Sequence, residues 1–86
     1  MYELILSPRA IKQIKKFEKY IQQRIISTLE RIRIRPESYL IKLIGDPGYK
    51  LRIGDFRLYI DLNRNINRIE VTRIGHRKNI YKQKPL

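Results

Sequence analysis

The feature that most constrains this chain is the stretch YKLRIGDFRLYIDL, Tyr49 to Leu62, where apolar and polar residues alternate on both sides of Gly54-Asp55. A period of two sends successive side chains to opposite faces of an extended strand. Tyr49, Leu51 and Ile53 then share one face of a first strand, and Phe56, Leu58, Ile60 and Leu62 share one face of a second. Glycine reaches positive φ without steric penalty, so a two-residue loop opening on Gly54 makes a tight hairpin. That register sets Ile53 against Phe56, Arg52 against Arg57 and Lys50 against Tyr59. One face is core. The other places two arginines directly opposite each other, which costs roughly a few tenths to 1 kcal/mol in an antiparallel pair. An anionic ligand would explain why the pair is tolerated.

A chain of 86 residues makes one small domain, 1–86, with a modest core. It has no cysteine, which excludes disulfides, thiolate chemistry and thiol-ligated zinc and suits a reducing cytoplasm. A single histidine gives no basis for a histidine-rich metal site. The opening MYELILSPRA carries an acidic Glu3 and only a short apolar run, so it reads as neither a signal peptide nor a membrane span. The expectation is a soluble, cytoplasmic protein. Twenty Lys and Arg against eight Asp and Glu give a net charge of +12. Such a field attracts polyanions and makes their binding salt-dependent. Nucleic acid is the first candidate partner; a solubilising surface or an acidic protein partner is the plain alternative.

Around the hairpin the chain reads as α+β. Tyr2 to Leu6 is a short strand, and Ser7-Pro8 supplies an N-cap followed by proline at the first helical position. Ile11, Ile14 and Phe17 follow at helical spacing, with Lys12, Lys15, Lys16 and Lys19 on the polar side, so a first helix is expected to end near Lys19. Ile21, Ile25, Leu29 and Ile32 mark a second helix from Tyr20 to about Arg35, stopped by Pro36. With no Gly or Pro between them the two segments form either a hairpin or one bent, elbowed helix, and in both cases cover one sheet face. The apolar segment Tyr39 to Ile44 is expected to lie along the core before the turn signal GDPG. After the hairpin, Asn63-Arg64-Asn65 makes a second turn and a strand runs from about Asn67 to Ile74 with Ile69 and Val71 inward. Arg73 breaks that alternation and points to a bulge or a strand end near Ile74.

The uncovered face of this antiparallel sheet is thus an open basic face, displaying Lys50, Arg52, Arg57 and Tyr59. His76, Arg77, Lys78 and Tyr81 follow at its end. Cations that hold phosphates beside tyrosines that stack on unpaired bases suit RNA. No glycine-rich phosphate loop, paired-carboxylate motif, nucleophile elbow or HExxH is present, and Asp55, Asp61 and Glu70 are spaced as ordinary strand and turn residues. RNA carries its own nucleophile, the 2′-OH. Cleavage therefore needs only a base, cations on the phosphorane oxygens and an acid for the 5′-oxygen, without metal or other cofactor.

The order of elements, the strand pair containing RIGDFR and the ending GHRKNIY resemble the RelE/ParE superfamily of toxin–antitoxin toxins, particularly the RelE-type mRNA interferases. The resemblance covers nearly the whole chain. It implies a toxin that inhibits translation as a ribosome-dependent endoribonuclease, cleaving messenger RNA in the A site. By position it implies catalytic and RNA-binding roles for Lys50, Arg52, Arg57, Arg77 and Tyr81. Arginine at Arg52, where relatives often have lysine, can clamp phosphate but is a poor base. Lys50 is then the candidate base, Arg57 and Arg77 bear on the phosphorane charge, and Tyr81 stacks on a base. Arg77 acting on the leaving oxygen and His76 as base or acid remain alternatives. Tyr59 and Lys78 extend the RNA contact.

The resemblance also implies an acidic, partly disordered RelB-like antitoxin, and a complex that binds operator DNA through that antitoxin. Two other functions remain open: a ParE-like inhibitor of DNA gyrase, and an RNA-binding module without catalysis.

Overall fold

The computed structural model describes residues 1–80 of the chain. The elements run β1 (Glu3–Leu6), α1 (Pro8–Ile14), α2 (Lys19–Ile32), a 3-10 turn at Pro36–Ser38, β2 (Ile41–Lys42), β3 (Tyr49–Ile53), β4 (Phe56–Asn63), β5 (Arg68–His76) and α3 (Arg77–Ile80). The strands form one sheet in the order β1-β5-β4-β3-β2, antiparallel except for the parallel pairing of β1 with β5.

The hairpin has the register its alternation dictates: Ile53 faces Phe56, Arg52 faces Arg57 and Lys50 faces Tyr59. Gly54 sits at φ +56 and Asp55 does not share the positive φ, the pattern of a two-residue turn with glycine first. A side chain at Gly54 would meet strain and also the Arg24 guanidinium of α2, 2.8 Å from where a Cβ would stand. At the second turn the Asn63 carboxamide accepts the Asn65 N–H at 3.0 Å, and Asn67 leaves the turn at φ +51.

Ile14, Ile25, Leu29 and Ile32 from the helices bury against Leu51, Ile53, Leu58, Ile60, Ile69, Val71 and Ile74 from the sheet. Each such side chain contributes about 1.5–3 kcal/mol by leaving water. Both helices therefore cover one face, as the sequence predicts. Ile11 is the exception, turned partly to solvent.

Helix α1 is shorter than its pattern suggests, ending at Ile14 instead of near Lys19. No glycine or proline stops it. The N–H groups of Lys16 and Phe17 bond three residues back, to the Gln13 and Ile14 carbonyls. The Gln22 amide then closes on the Phe17 carbonyl at 2.8 Å, while the Phe17 ring packs on Phe56 at 4.9 Å.

The segment Tyr39 to Ile44 departs from expectation too. Leu40 packs on the core, but Ile41–Lys42 forms an exposed edge strand and Ile44 is fully exposed, because β3 offers an unpaired backbone edge to them.

The bulge signalled by Arg73 is real. Register shifts beside Tyr59 and Ile60: Tyr59 faces Arg73 and Ile60 faces Val71, leaving Thr72 as the extra residue. Helix α1 and its cap hold the irregularity. The Ser7 hydroxyl accepts the Ala10 N–H at 3.1 Å and donates to the Thr72 carbonyl at 2.9 Å. Thr72 in turn donates to the Tyr59 carbonyl at 3.1 Å. Past the end of β1, the Gln13 carboxamide oxygen accepts the Ile74 N–H at 2.6 Å and satisfies a donor that β1 no longer reaches.

Candidate active site

The face opposite α1 and α2 is built in cross-strand rows. The register places Lys50, Tyr59 and Arg73 in one row and Arg52, Arg57 and Gly75 in the next. Strands lie about 4.8 Å apart, so these rows set four cations and a tyrosine side by side. A third row, Asp61 and Glu70, gives the far end of the face the opposite sign.

The two opposed arginines resolve their conflict by parting. Arg52 is exposed, whereas Arg57 is buried. One amino group of the Arg57 guanidinium donates to the carbonyls of Gly54 and Phe56, each at 2.9 Å. Turn carbonyls thus hold a charge that would otherwise be costly to desolvate.

Arg73 is the residue that sequence reasoning leaves out of the site. The bulge carries it to this face, where it is buried with its guanidinium 4.3 Å above the Tyr59 ring. The broken alternation was the available signal, and it marks the bulge without revealing the stacking.

The end of the face is shaped by α3. Ile80 is fully buried, and its Cβ lies 3.1 Å from where a Cβ on Gly75 would stand, so glycine is what lets this short helix lie on the sheet. Arg77 is exposed beside the hairpin tip. Its backbone N–H donates to the Asp55 carbonyl at 2.8 Å and its side chain is 3.7 Å from the Asp55 carboxylate. Arg57 on Gly54 and Arg77 on Asp55 therefore meet at one turn. Lys50 is half-buried, and Lys78 is exposed one residue beyond Arg77.

His76 is placed apart from this group. It pairs with Phe56 on the helix side of the sheet, edge-on to that ring at 5.6 Å, and its Nδ1 accepts the Lys78 N–H at 3.1 Å. The sheet itself separates its imidazole from Lys50. Tyr81 lies outside the described residues. Among the described residues no group of three His, Cys, Asp or Glu could hold a metal ion, and no helix is long and apolar enough to cross a membrane.

The arrangement offers cations in two rows, a stacked tyrosine and an edge of exposed arginines, which together can bind an extended phosphate backbone. Solved structures with the same fold are toxins. In the RelBE2 toxin–antitoxin complex of Mycobacterium tuberculosis, the matching chain has a TM-score of 0.82 at 15% identity, covering 87% of this chain and 96% of that one. A chain of the intact Escherichia coli RelBE complex gives 0.76 at 23% identity, covering 88% and 96%. One from the RelE-RelB complex of Pyrococcus horikoshii gives 0.77 at 21%, covering 91% and 97%. At these identities the likeness is one of fold. No curated protein sequence matches the chain. A family model for the ParE toxin of the type II toxin–antitoxin system parDE matches residues 4–81. That match spans nearly the whole chain, and with the shared fold it places the protein in the RelE/ParE superfamily of type II toxin–antitoxin toxins.

Proposed function

We propose that this toxin is a ribosome-dependent endoribonuclease that cleaves messenger RNA in the A site and thereby arrests translation. The observation that supports the reading best is the meeting of Lys50, Arg52 and Arg57 in adjacent rows with Arg77 at the hairpin tip, on the face the two long helices leave uncovered. Arg52, exposed, clamps a phosphate flanking the scissile bond, and Arg77, also exposed, bears on the phosphorane. Arg57, preoriented by the turn carbonyls, faces the phosphorane charge as it develops. The neutral amine form of Lys50 accepts the 2′-OH proton, the 2′-oxygen attacks phosphorus, and the 5′-oxygen leaves with a proton from water while Arg77 stabilises its charge. No step requires a metal. Tyr81 stacks on a base, while Tyr59 and Lys78 extend the contact. His76, on the other side of the sheet, is the weaker choice of base.

The partner that silences this activity is an acidic RelB-like antitoxin, for which +12 is a complementary charge. The complex binds operator DNA through the antitoxin. The cytoplasm, where ribosomes and messenger RNA are, is the site of action.

The family model's own description favours a second reading, a ParE-like inhibitor of DNA gyrase. One experiment separates the two: the purified chain is added in parallel to a gyrase supercoiling assay and to a translating extract. Codon-phased breaks in the message with gyrase unaffected support the nuclease. Gyrase inhibition with intact message overturns it. Breaks that appear equally in naked transcript would remove the ribosome from the account.

A further inference from the structure

Beside the cation rows, the basic face opens into a cavity of about 190 Å³ whose lining includes Asp46, Gly48, Tyr59, Asp61, Thr72 and Arg73. Its walls differ in kind from the rest of the face. One wall is the Tyr59–Arg73 stack, whose ring and guanidinium are 4.3 Å apart and whose arginine is 94% buried, being only 6% exposed. Another is the exposed Asp61 carboxylate, which stands in a row next to Tyr59 and approaches Gly48 closely: a Cβ there would lie 3.4 Å from an Asp61 oxygen. Asp46 is already engaged, accepting the Gly48 N–H at 2.7 Å.

A carboxylate in a cavity repels phosphate, so this place is chemically set apart from the backbone-binding rows beside it. It is suited to the part of a nucleotide that is flat, neutral and rich in donors. We infer that the cavity is a nucleobase subsite that selects guanine. The base stacks against the Tyr59–Arg73 pair, and the Asp61 carboxylate accepts both the N1–H and the 2-amino N–H of its Watson–Crick edge. Adenine and cytosine offer one amino group and uracil one imino N–H, so none of them satisfies both carboxylate oxygens in this way. The cation rows hold phosphates on one side while this subsite reads a base on the other. The inference rests on the proposed RNA-binding role of the face.

The test uses fluorescently labelled 2′-O-methyl uridine hexamers, which resist cleavage, with one central guanosine, inosine, adenosine or no replacement. Inosine differs from guanosine only by lacking the 2-amino group. Wild-type protein is expected to bind the guanosine hexamer about tenfold more tightly than the other three, in keeping with the value of a good bidentate contact. Asp61→Asn, whose carboxamide offers only one acceptor, is expected to bind all four equally, at the affinity the wild type shows for uridine, with an unchanged melting temperature. Steeply salt-dependent binding with no preference among the four, or a guanosine preference that survives in Asp61→Asn, overturns the subsite and leaves the RNA reading standing. No binding of any hexamer overturns the subsite and leaves the ribosome-dependent reading to its own translation assay.

Discussion

Arg52 and Arg57 carry the same charge to the same place and serve different ends there. Arg57 is tied to the Gly54 and Phe56 carbonyls, so its removal strands two acceptors and takes away a buried, charge-assisted contact. Arg57→Ala is expected to lower stability by about 1–3 kcal/mol in urea unfolding while also abolishing RNA cleavage. Arg52 is exposed, and Arg52→Ala is expected to leave the unfolding midpoint within error while weakening RNA binding and, with it, cleavage. Only their opposition was legible in the sequence, because register follows from a period of two and a two-residue turn. The turn carbonyls that separate them were not, since backbone oxygens carry no sequence signal. The partner of Arg73, the Tyr59 ring, was hidden for another reason: only the bulge sets the two residues opposite each other.

A second residue-scale effect lies at Tyr2, whose phenol is pushed above its ordinary value of 10.0 by partial burial, by the Glu37 charge and by a hydrogen bond to it, with Arg64 pulling the other way. A raised folded-state value means the native protein holds that proton more tightly than the unfolded chain does. Its contribution is therefore complete below pH 10.0 and is lost as pH rises through the folded value. Tyr2→Phe is expected to reduce the alkaline fall in melting temperature above that pH.

At the scale of elements, the hairpin and the amphipathic faces of the helices were readable because their information is local. The early end of α1 and the pairing of β2 were not. The first depends on Phe17 meeting Phe56 and Gln22 meeting the Phe17 carbonyl, and the second on the exposed edge of β3. The bulge in β5 belongs to both kinds: Arg73 announces it, yet Ser7 and Gln13 on a distant segment hold it. Gln13→Ala leaves the Ile74 N–H without its acceptor and is expected to cost about 1–3 kcal/mol in chemical unfolding. Proton exchange at Ile74 should accelerate more than at Ile69, which lies in the paired part of the strand. Gly75→Val places atoms where Ile80 packs and is expected to lift α3 from the sheet, exposing Ile80 and disordering Arg77 relative to the hairpin tip. Cleavage should then fall although the core that α1 and α2 cover keeps its exchange protection.

For the whole molecule, charge decides what is attracted and the face decides what is done with it. The field of +12 belongs to the entire surface, helices included, and was evident at once. What composition could not show is that the sheet divides its residues: Lys50, Arg52, Arg57 and Arg73 lie on one side, His76 on the other. On the proposed function, this one side cleaves RNA on the ribosome. The most direct measurement is primer extension along a message translated in a purified system, comparing the native chain with Arg52→Ala and Arg77→Ala, both exposed positions whose loss should spare the fold. The native chain is expected to give codon-phased breaks, reduced at least tenfold in either variant under the transition-state arithmetic for one lost charge contact. Breaks of undiminished intensity in both variants, from proteins that melt as the native chain does, would contradict the proposed function.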